Sequence, residues 1–332
     1  MDKRLLEQVL RTIRSYEMID PGETVLVCVS GGPDSVFLLL AMMKLRRKLK
    51  IKVCACNLDH GLRAKESAGD SRFAIGLARK LGIEILHKKI KLKGVRSERI
   101  STEEIARKER YNFYAEAAKK TGARTIATGH TLDDQAETVL MRIIKGSSLK
   151  GAAGIPPVRG FGSSRIIRPL IEIQKKDIAG WIKREKIPFR ADSTNETDLY
   201  FRNIVRRKII PYLERHNPRL KRSLFNFAQH VREDLDFISS AKANAAPKSS
   251  KRDGRIEIPL KDIAIQPKAL QKEILRDALK EAGGLIKKLT YRHWKDAEVL
   301  IRQKKKGALM DLPGGVRLKR TERFLQLYRL NS

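Results

Sequence analysis

The sequence predicts an α/β fold in which a parallel sheet carries helices on both faces, followed by a helical linker and a small α+β module. Three observations point there. Short β-branched runs alternate with longer helix-forming stretches through the first half of the chain, the pattern of a parallel sheet with crossover helices. Two glycines, Gly31 and Gly32, follow directly on the first β-branched run and open the next helical stretch. Beyond Gly146 the texture changes, with Gly, Ser and Pro gathering in loops and short elements.

The elements follow in order. Leu5, Leu6, Val9, Leu10 and Ile13 begin an amphipathic helix. Residues 24–29 read as a buried strand, and residues 35–45 as a helix that is apolar almost all round. Strands are expected at 51–58, 83–87 and 125–128, with helices at 67–81 and 102–121. After Thr131 the positions Ala136, Val139, Leu140, Ile143 and Ile144 keep a 3.6-residue period until Gly146. Residues 146–157 and 159–165 read as loops around the mouth of the sheet. A short strand and two helices, at 172–186 and 200–213, come next, and a long helix covers 220–243. Residues 245–254 are polar and poor in core side chains and read as a linker or long loop. A strand at 255–260, helices at 267–282 and 290–303, and strands over 308–330 make the closing α+β module. The expected domains are 1–215, a linker at 216–250, and 251–332.

Composition narrows the partner. Against 38 Asp and Glu stand 71 Lys and Arg, a net charge of +33, which points to a polyanion such as a nucleic acid. The excess runs through both parts, with 27 basic and 13 acidic residues from His216 onward, so the footprint is broad. Aromatic residues are 6% and do not cluster, which favours phosphate contacts over a stacking platform. Only three cysteines, Cys28, Cys54 and Cys56, all inside apolar runs, argue against a disulfide scaffold and a zinc site. Cys54 and Cys56 alternate along a strand and so share one core face. The longest apolar run, residues 36–43, is too short to span a bilayer, so no membrane role is expected. The N-terminus lacks a signal-peptide pattern, and the expected location is cytoplasmic.

The chemistry concentrates at Ser30-Gly31-Gly32-Pro33-Asp34-Ser35. Glycines after a strand let a phosphate approach the backbone, and the following helix offers unpaired amides. The loop has neither the Gly-Lys-Ser/Thr ending of kinase-type loops nor a dinucleotide GxGxxG, so a different phosphate chemistry is implied. A second cluster begins at Thr131, which can cap a helix whose first turns hold Asp133, Asp134 and Glu137. Spacings of three and four residues set Glu137 beside both aspartates, where three carboxylates can hold Mg²⁺ or receive a cationic amino acid. Complementing the helix dipole explains the same acids. His130 at a strand end is a structural hydrogen-bonding group or a phosphate contact, and Asp59, His60 and Arg63 are nucleotide contacts or turn caps. Arg202 and Arg206, one turn apart, can clamp phosphate or remain solvated, and Arg110 faces the nucleic acid or a buried acid.

The Ser30–Ser35 motif resembles the SGGxDS loop of the PP-loop family of N-type ATP pyrophosphatases, with its adenine-nucleotide-alpha-hydrolase-like fold. Within it, Leu58-Asp59-His60-Gly61-Leu62-Arg63, Arg107-Lys108-Glu109-Arg110-Tyr111-Asn112-Phe113-Tyr114 and Thr128-Gly129-His130-Thr131-Leu132-Asp133-Asp134-Gln135-Ala136-Glu137-Thr138 look like the bacterial tRNA(Ile)-lysidine synthases. Arg168-Pro169-Leu170, Asp192-Ser193-Thr194-Asn195 and Arg202-Asn203-Ile204-Val205-Arg206 extend the resemblance, which is strong over about residues 20–215. The segment near Asp311-Leu312-Pro313-Gly314-Gly315 resembles that family's tRNA-binding C-terminal domain, in a shorter form without a further terminal domain. The resemblance implies ATP and Mg²⁺ as cofactors, and CAU-anticodon tRNA(Ile) and free L-lysine as partners. It further implies that cytidine is adenylated and then joined to lysine, which changes decoding from AUG to AUA. Asp34, Asp134, Glu137 and Arg202 are the expected catalytic residues. Ser30, Gly31, Gly32, Pro33, Asp34, Ser35, Asp59, His60, Arg110 and His130 are the expected nucleotide contacts, and Asp133 with Asp134 the Mg²⁺ ligands. A homodimer stays open. The rivals are a tRNA 2-thiolation enzyme, which needs sulfur-relay cysteines, a non-catalytic nucleotide-regulated RNA-binding protein, and an ammonia-using synthetase, which needs no such positive charge.

Overall fold

The computed structural model describes residues 2–59, 64–90, 102–190, 200–245, 247, 249–252, 254–302 and 307–329. The chain forms two compact units, residues 1–231 and 232–332.

The first unit runs α1 (Lys3–Ser15), β1 (Thr24–Cys28), α2 (Pro33–Leu49), β2 (Lys52–Asp59), α3 (Ala64–Lys80), β3 (Ile85–Lys89), α4 (Thr102–Thr121) and β4 (Thr125–Ala127). There follow α5 (Leu132–Ile144), α6 (Leu149–Ala152), β5 (Val158–Phe161), β6 (Ser164–Ile167), α7 (Lys175–Arg184), α8 (Phe201–Ile204), a π-helical stretch (Val205–Ile209) and α9 (Ile210–Glu214). α10 (Leu220–Ala245) continues into the second unit. The six strands are ordered β3-β2-β1-β4-β6-β5, and the pairs β1–β2, β2–β3, β1–β4 and β4–β6 are parallel.

Alternation along the strands builds two cores, one on each face. Val25, Val27 and Val29 pack with α1, α2 and α7 through Leu5, Phe37, Leu39 and Trp181. Leu26, Cys28, Cys54, Cys56, Ile126 and Ile166 face the other way onto Phe113, Ala117 and Ala118 of α4. The three thiols are therefore core groups, and burial pushes Cys54 up to about 11.

Two expectations are corrected. Residues 159–165 form no loop at the mouth of the sheet. They belong to a β5–β6 hairpin, antiparallel, whose two-residue turn Gly162-Ser163 uses the positive φ of Gly162. The sheet is thus mixed, with an antiparallel edge strand on a parallel body. The polar stretch 245–254 is likewise not all linker, because β7 (Ser250–Arg252) pairs with β8 (Arg255–Pro259). All three β7 residues are exposed, so nothing apolar marks that strand in the sequence. The helix expected at 200–213 is present but is widened by its π stretch.

The second unit continues with α11 (Leu260–Ala264), α12 (Lys268–Glu281), a 3₁₀ turn (Ile286–Lys288), α13 (Tyr291–Arg302), β9 (Leu309–Leu312), β10 (Val316–Arg320) and β11 (Phe324–Arg329). Its antiparallel sheet, ordered β7-β8-β11-β10-β9, buries Ile256, Ile258, Val316, Leu318, Leu325 and Leu327 against the helices. The other face carries Arg255, Arg317, Lys319 and Tyr328, at least partly exposed.

Candidate functional site

Strand order makes the site. β1 leads through α2 to β2 on one side, and β4 lies parallel on β1's other side, so the strand order reverses between them. In an open α/β sheet that is where the carboxyl ends of the strands leave a crevice. The loop after β1 and the loop after β4 both end there.

Gly32 is the N-cap of α2, with Pro33 at the first position, where the fixed φ suits a helix start. Ser35 locks the loop: its hydroxyl donates to the Gly32 carbonyl at 2.8 Å and accepts from the Ser30 N–H at 3.2 Å. Gly31 has φ +93°, a conformation that costs other residues strain, and its carbonyl accepts from Arg190 N–H at 3.0 Å. Gly129, after β4, lies so close to α2 that a Cβ would meet the Asp34 carbonyl and the Ser35 nitrogen at 3.3 Å. The two loops are thereby pressed together, and the α2 N-terminus opens beside the first turn of α5.

That turn is capped reciprocally. Thr131 accepts from Asp134 N–H, while Asp134 accepts from the Thr131 N–H and hydroxyl, each at 2.9 Å. The other Asp134 oxygen accepts from Lys175 Nζ at 3.0 Å and Arg202 at 3.2 Å. Burial alone would raise the Asp134 carboxyl, but Lys175, His130, Arg202 and the Thr131 N–H hold it well below the usual range. Glu137, almost wholly buried, accepts from Arg202 Nε at 2.7 Å and from Arg206 Nε and Nη2 at 2.6 and 3.0 Å. Arg206 sits in the π stretch and Arg202 just before it, and this helix presents both guanidiniums to one carboxylate.

Asp34 is the contrast. Burial pushes it up to about 6 against the pull of Lys175, whose Nζ is 3.8 Å away, and Asp134 and Asp133 push the same way. Its negative charge is under-compensated. His130 donates to or accepts from Thr128 Oγ1 at 2.9 Å, and burial, with Arg168, Arg202 and Arg107 adding to it, draws it down to about 4. At neutral pH it is an uncharged imidazole.

The expected residues therefore separate into groups. Ser30, Gly31, Gly32, Pro33, Asp34, Ser35, His130, Asp134, Glu137 and Arg202 meet around the crevice. Asp133 belongs to its edge and has both oxygens engaged: one takes the Lys175 backbone N–H at 2.7 Å, the other Lys221 Nζ at 2.9 Å. Asp59 is buried at the carboxyl end of β2. Arg110 is exposed on α4, where its charge acts on Tyr114. His60, Arg63 and residues 192–195 lie outside the described residues.

Lys175, Lys221 and Arg190 escaped the sequence reading. Only Lys175 carried a local signal: it starts α7 next to Lys176, at the end where the helix dipole disfavours cations.

A model of the PP-loop domain matches residues 1–213. Over 316 residues the chain is 33% identical to the tRNA(Ile)-lysidine synthase of Clostridioides difficile, covering 94% of this chain and 68% of that protein. The chain belongs to the PP-loop tRNA(Ile)-lysidine synthase family. Another tRNA(Ile)-lysidine synthase, from Geobacillus kaustophilus, is 33% identical over 323 residues, covering 96% of this chain and 69% of that protein. Among solved structures, a U34-tRNA thiolase from Methanococcus maripaludis with its [4Fe-4S] cluster superposes with a TM-score of 0.59 at 18% identity, over 69% of this chain and 78% of that one. At that identity the likeness concerns the fold alone, which lysidine synthases and thiolases share.

Proposed function

We propose that the protein joins lysine to C2 of the wobble cytidine of CAU-anticodon tRNA(Ile) at the expense of ATP, through an adenylated cytidine. The observation that carries this reading is the phosphate loop set directly against a cluster of acids and arginines at the reversal point of the sheet. The C2 oxygen of cytosine is a poor leaving group. Attack of that oxygen on the α-phosphorus of ATP releases pyrophosphate, and the amine of lysine then displaces AMP.

Each part of the crevice has a task in that sequence. The free amides at the α2 N-terminus bind phosphate oxygens. Arg202, the more exposed of the two guanidiniums on Glu137, turns toward the charge that builds on the phosphoryl group. Glu137 holds the guanidiniums with both oxygens, so its work is to position them. Neutral His130 offers a hydrogen bond without a charge.

The acids suit a hard cation. The described residues include no cluster of three or more possible ligands, so an all-protein cage is not the arrangement they offer. Mg²⁺ usually binds through one or two carboxylates together with substrate phosphates. Asp34, buried with under-compensated charge, and Asp134 beside it would hold the ion, which would supply neutralisation of phosphate charge when bound.

The basic balance of the chain supports a tRNA substrate, and the polar face of the second unit, with Arg255, Arg317, Lys319 and Tyr328, suits phosphate contacts. A 2-thiolation reaction is disfavoured because the only three cysteines are buried in the sheet core. The described residues contain no helix long and apolar enough to cross a membrane, and we place the protein in the cytoplasm. The test is incubation with ATP, Mg²⁺, labelled lysine and CAU-bearing tRNA(Ile), with methionine tRNA as control. Lysine should enter only the isoleucine tRNA, with one AMP formed per lysine; no incorporation refutes the reading.

A further inference from the structure

The Ser30–Ser35 loop contains no cation, whereas kinase-type phosphate loops carry a lysine that reaches the phosphates. The fold brings one from elsewhere. Lys175 opens α7, and its backbone N–H is fixed by Asp133 at 2.7 Å, which anchors the start of that helix. Its side chain then runs into the crevice, ending 3.0 Å from Asp134 and 3.8 Å from Asp34. Among the described residues it is the ion-pair partner of the loop's own aspartate.

Two features say that this ammonium does more than balance acids. Asp134 also has Arg202 at 3.2 Å and the Thr131 cap, so Lys175 is not its sole counter-charge. An ammonium has three donors; the Asp134 bond uses one, and Asp34 at 3.8 Å lies beyond hydrogen-bond reach. Donors are thus left at the mouth of the phosphate loop, on a side chain that keeps 31% exposure.

We propose that Lys175 is the phosphate-contacting cation of the adenylation step, the loop's missing lysine supplied from α7. This rests on the lysidine-forming reading above. As the cytosine oxygen bonds to the α-phosphorus, the bond from that phosphorus to the bridging oxygen breaks and pyrophosphate leaves with the electron pair. Lys175 hydrogen-bonds the departing oxygens through its free donors. It takes no part in the later attack of the lysine amine.

The experiment separates the two steps. Pyrophosphate release is followed in single turnover with tRNA(Ile) and ATP, and lysine transfer is followed from adenylated tRNA made by the unaltered protein and isolated. Lys175→Met should slow pyrophosphate release by about 10²–10³-fold, the cost of losing one donor to a developing oxyanion. Transfer from the isolated adenylate should stay within a few-fold, Lys175→Arg should restore most of the first step, and Lys176→Met, altering the exposed neighbour, should change neither. If Lys175→Met melts early, Lys175→Gln replaces it, since an amide can still donate to Asp134. Pyrophosphate release at the normal rate, or equal loss of both steps in a folded variant, overturns the assignment. An unaltered protein that releases no pyrophosphate with tRNA fails at the proposed function instead.

Discussion

Asp34→Asn should make the ligand-free protein more stable while abolishing its activity. The carboxyl is raised from its ordinary 3.8 to about 6, chiefly by burial, with Lys175 only partly offsetting it. Because the folded state favours the neutral form of this group, the stability it confers is complete below pH 3.8 and is lost as the pH rises through about 6. At 1.36 kcal/mol per pH unit, the ionised carboxylate costs the fold about 3 kcal/mol at pH 8. An asparagine of the same shape carries no such cost. For a unit of this size, that gain moves the melting temperature by roughly 6–12 °C. The assay is urea and thermal unfolding of both proteins at pH 8 and at several values down to pH 4, without nucleotide or Mg²⁺. The gap should be widest at pH 8, shrink between pH 6 and 4, and close below that. A variant no more stable than the natural protein at pH 8 would refute the claim that Asp34 sits under-compensated. The same variant should give no tRNA-dependent pyrophosphate release while keeping most of its tRNA affinity.

Three further outcomes are expected. Glu137→Gln removes the charge shared by Arg202 and Arg206; since both guanidiniums are partly exposed, unfolding should cost about 1–2 kcal/mol less, and pyrophosphate release should fall at least about tenfold. Gly129→Ala places a methyl 3.3 Å from the backbone of Asp34 and Ser35, and ATP titration of pyrophosphate release should show the KM rising about tenfold with tRNA binding unchanged. Replacing Cys54 and Cys56 together by alanine should leave lysine incorporation within about twofold while lowering the melting temperature, because they act as small core hydrophobes. Loss of incorporation in a folded double variant would point to thiol chemistry.

Much of the first unit could be read from local pattern. The phosphate loop is announced by two glycines between an apolar run and a helix, and the cap at Thr131 by its spacing to Asp134. The shared face of Cys54 and Cys56 follows from the period of a strand. The β5–β6 hairpin was missed because its strands are four residues long and largely part-exposed, so no clean alternation marks them. The partners of the site acids were missed for a different reason. Asp34, Asp134 and Lys175 are joined across the sheet from distant parts of the chain, and no spacing rule reports such a meeting. The sharing of Glu137 by two arginines was half legible, in that their four-residue spacing puts them on one flank, but the acid they hold comes from another helix.

The placement of the thiols makes this chain its own reporter of local opening. All three lie in β1 and β2, two neighbouring strands of the first sheet, and the second unit has none. A thiol reagent can reach them only when the sheet parts from α4, so the labelling rate measures how often that happens. ATP or tRNA that binds the intact crevice should slow the labelling in proportion to its affinity, which turns three core residues into a binding assay that needs no turnover.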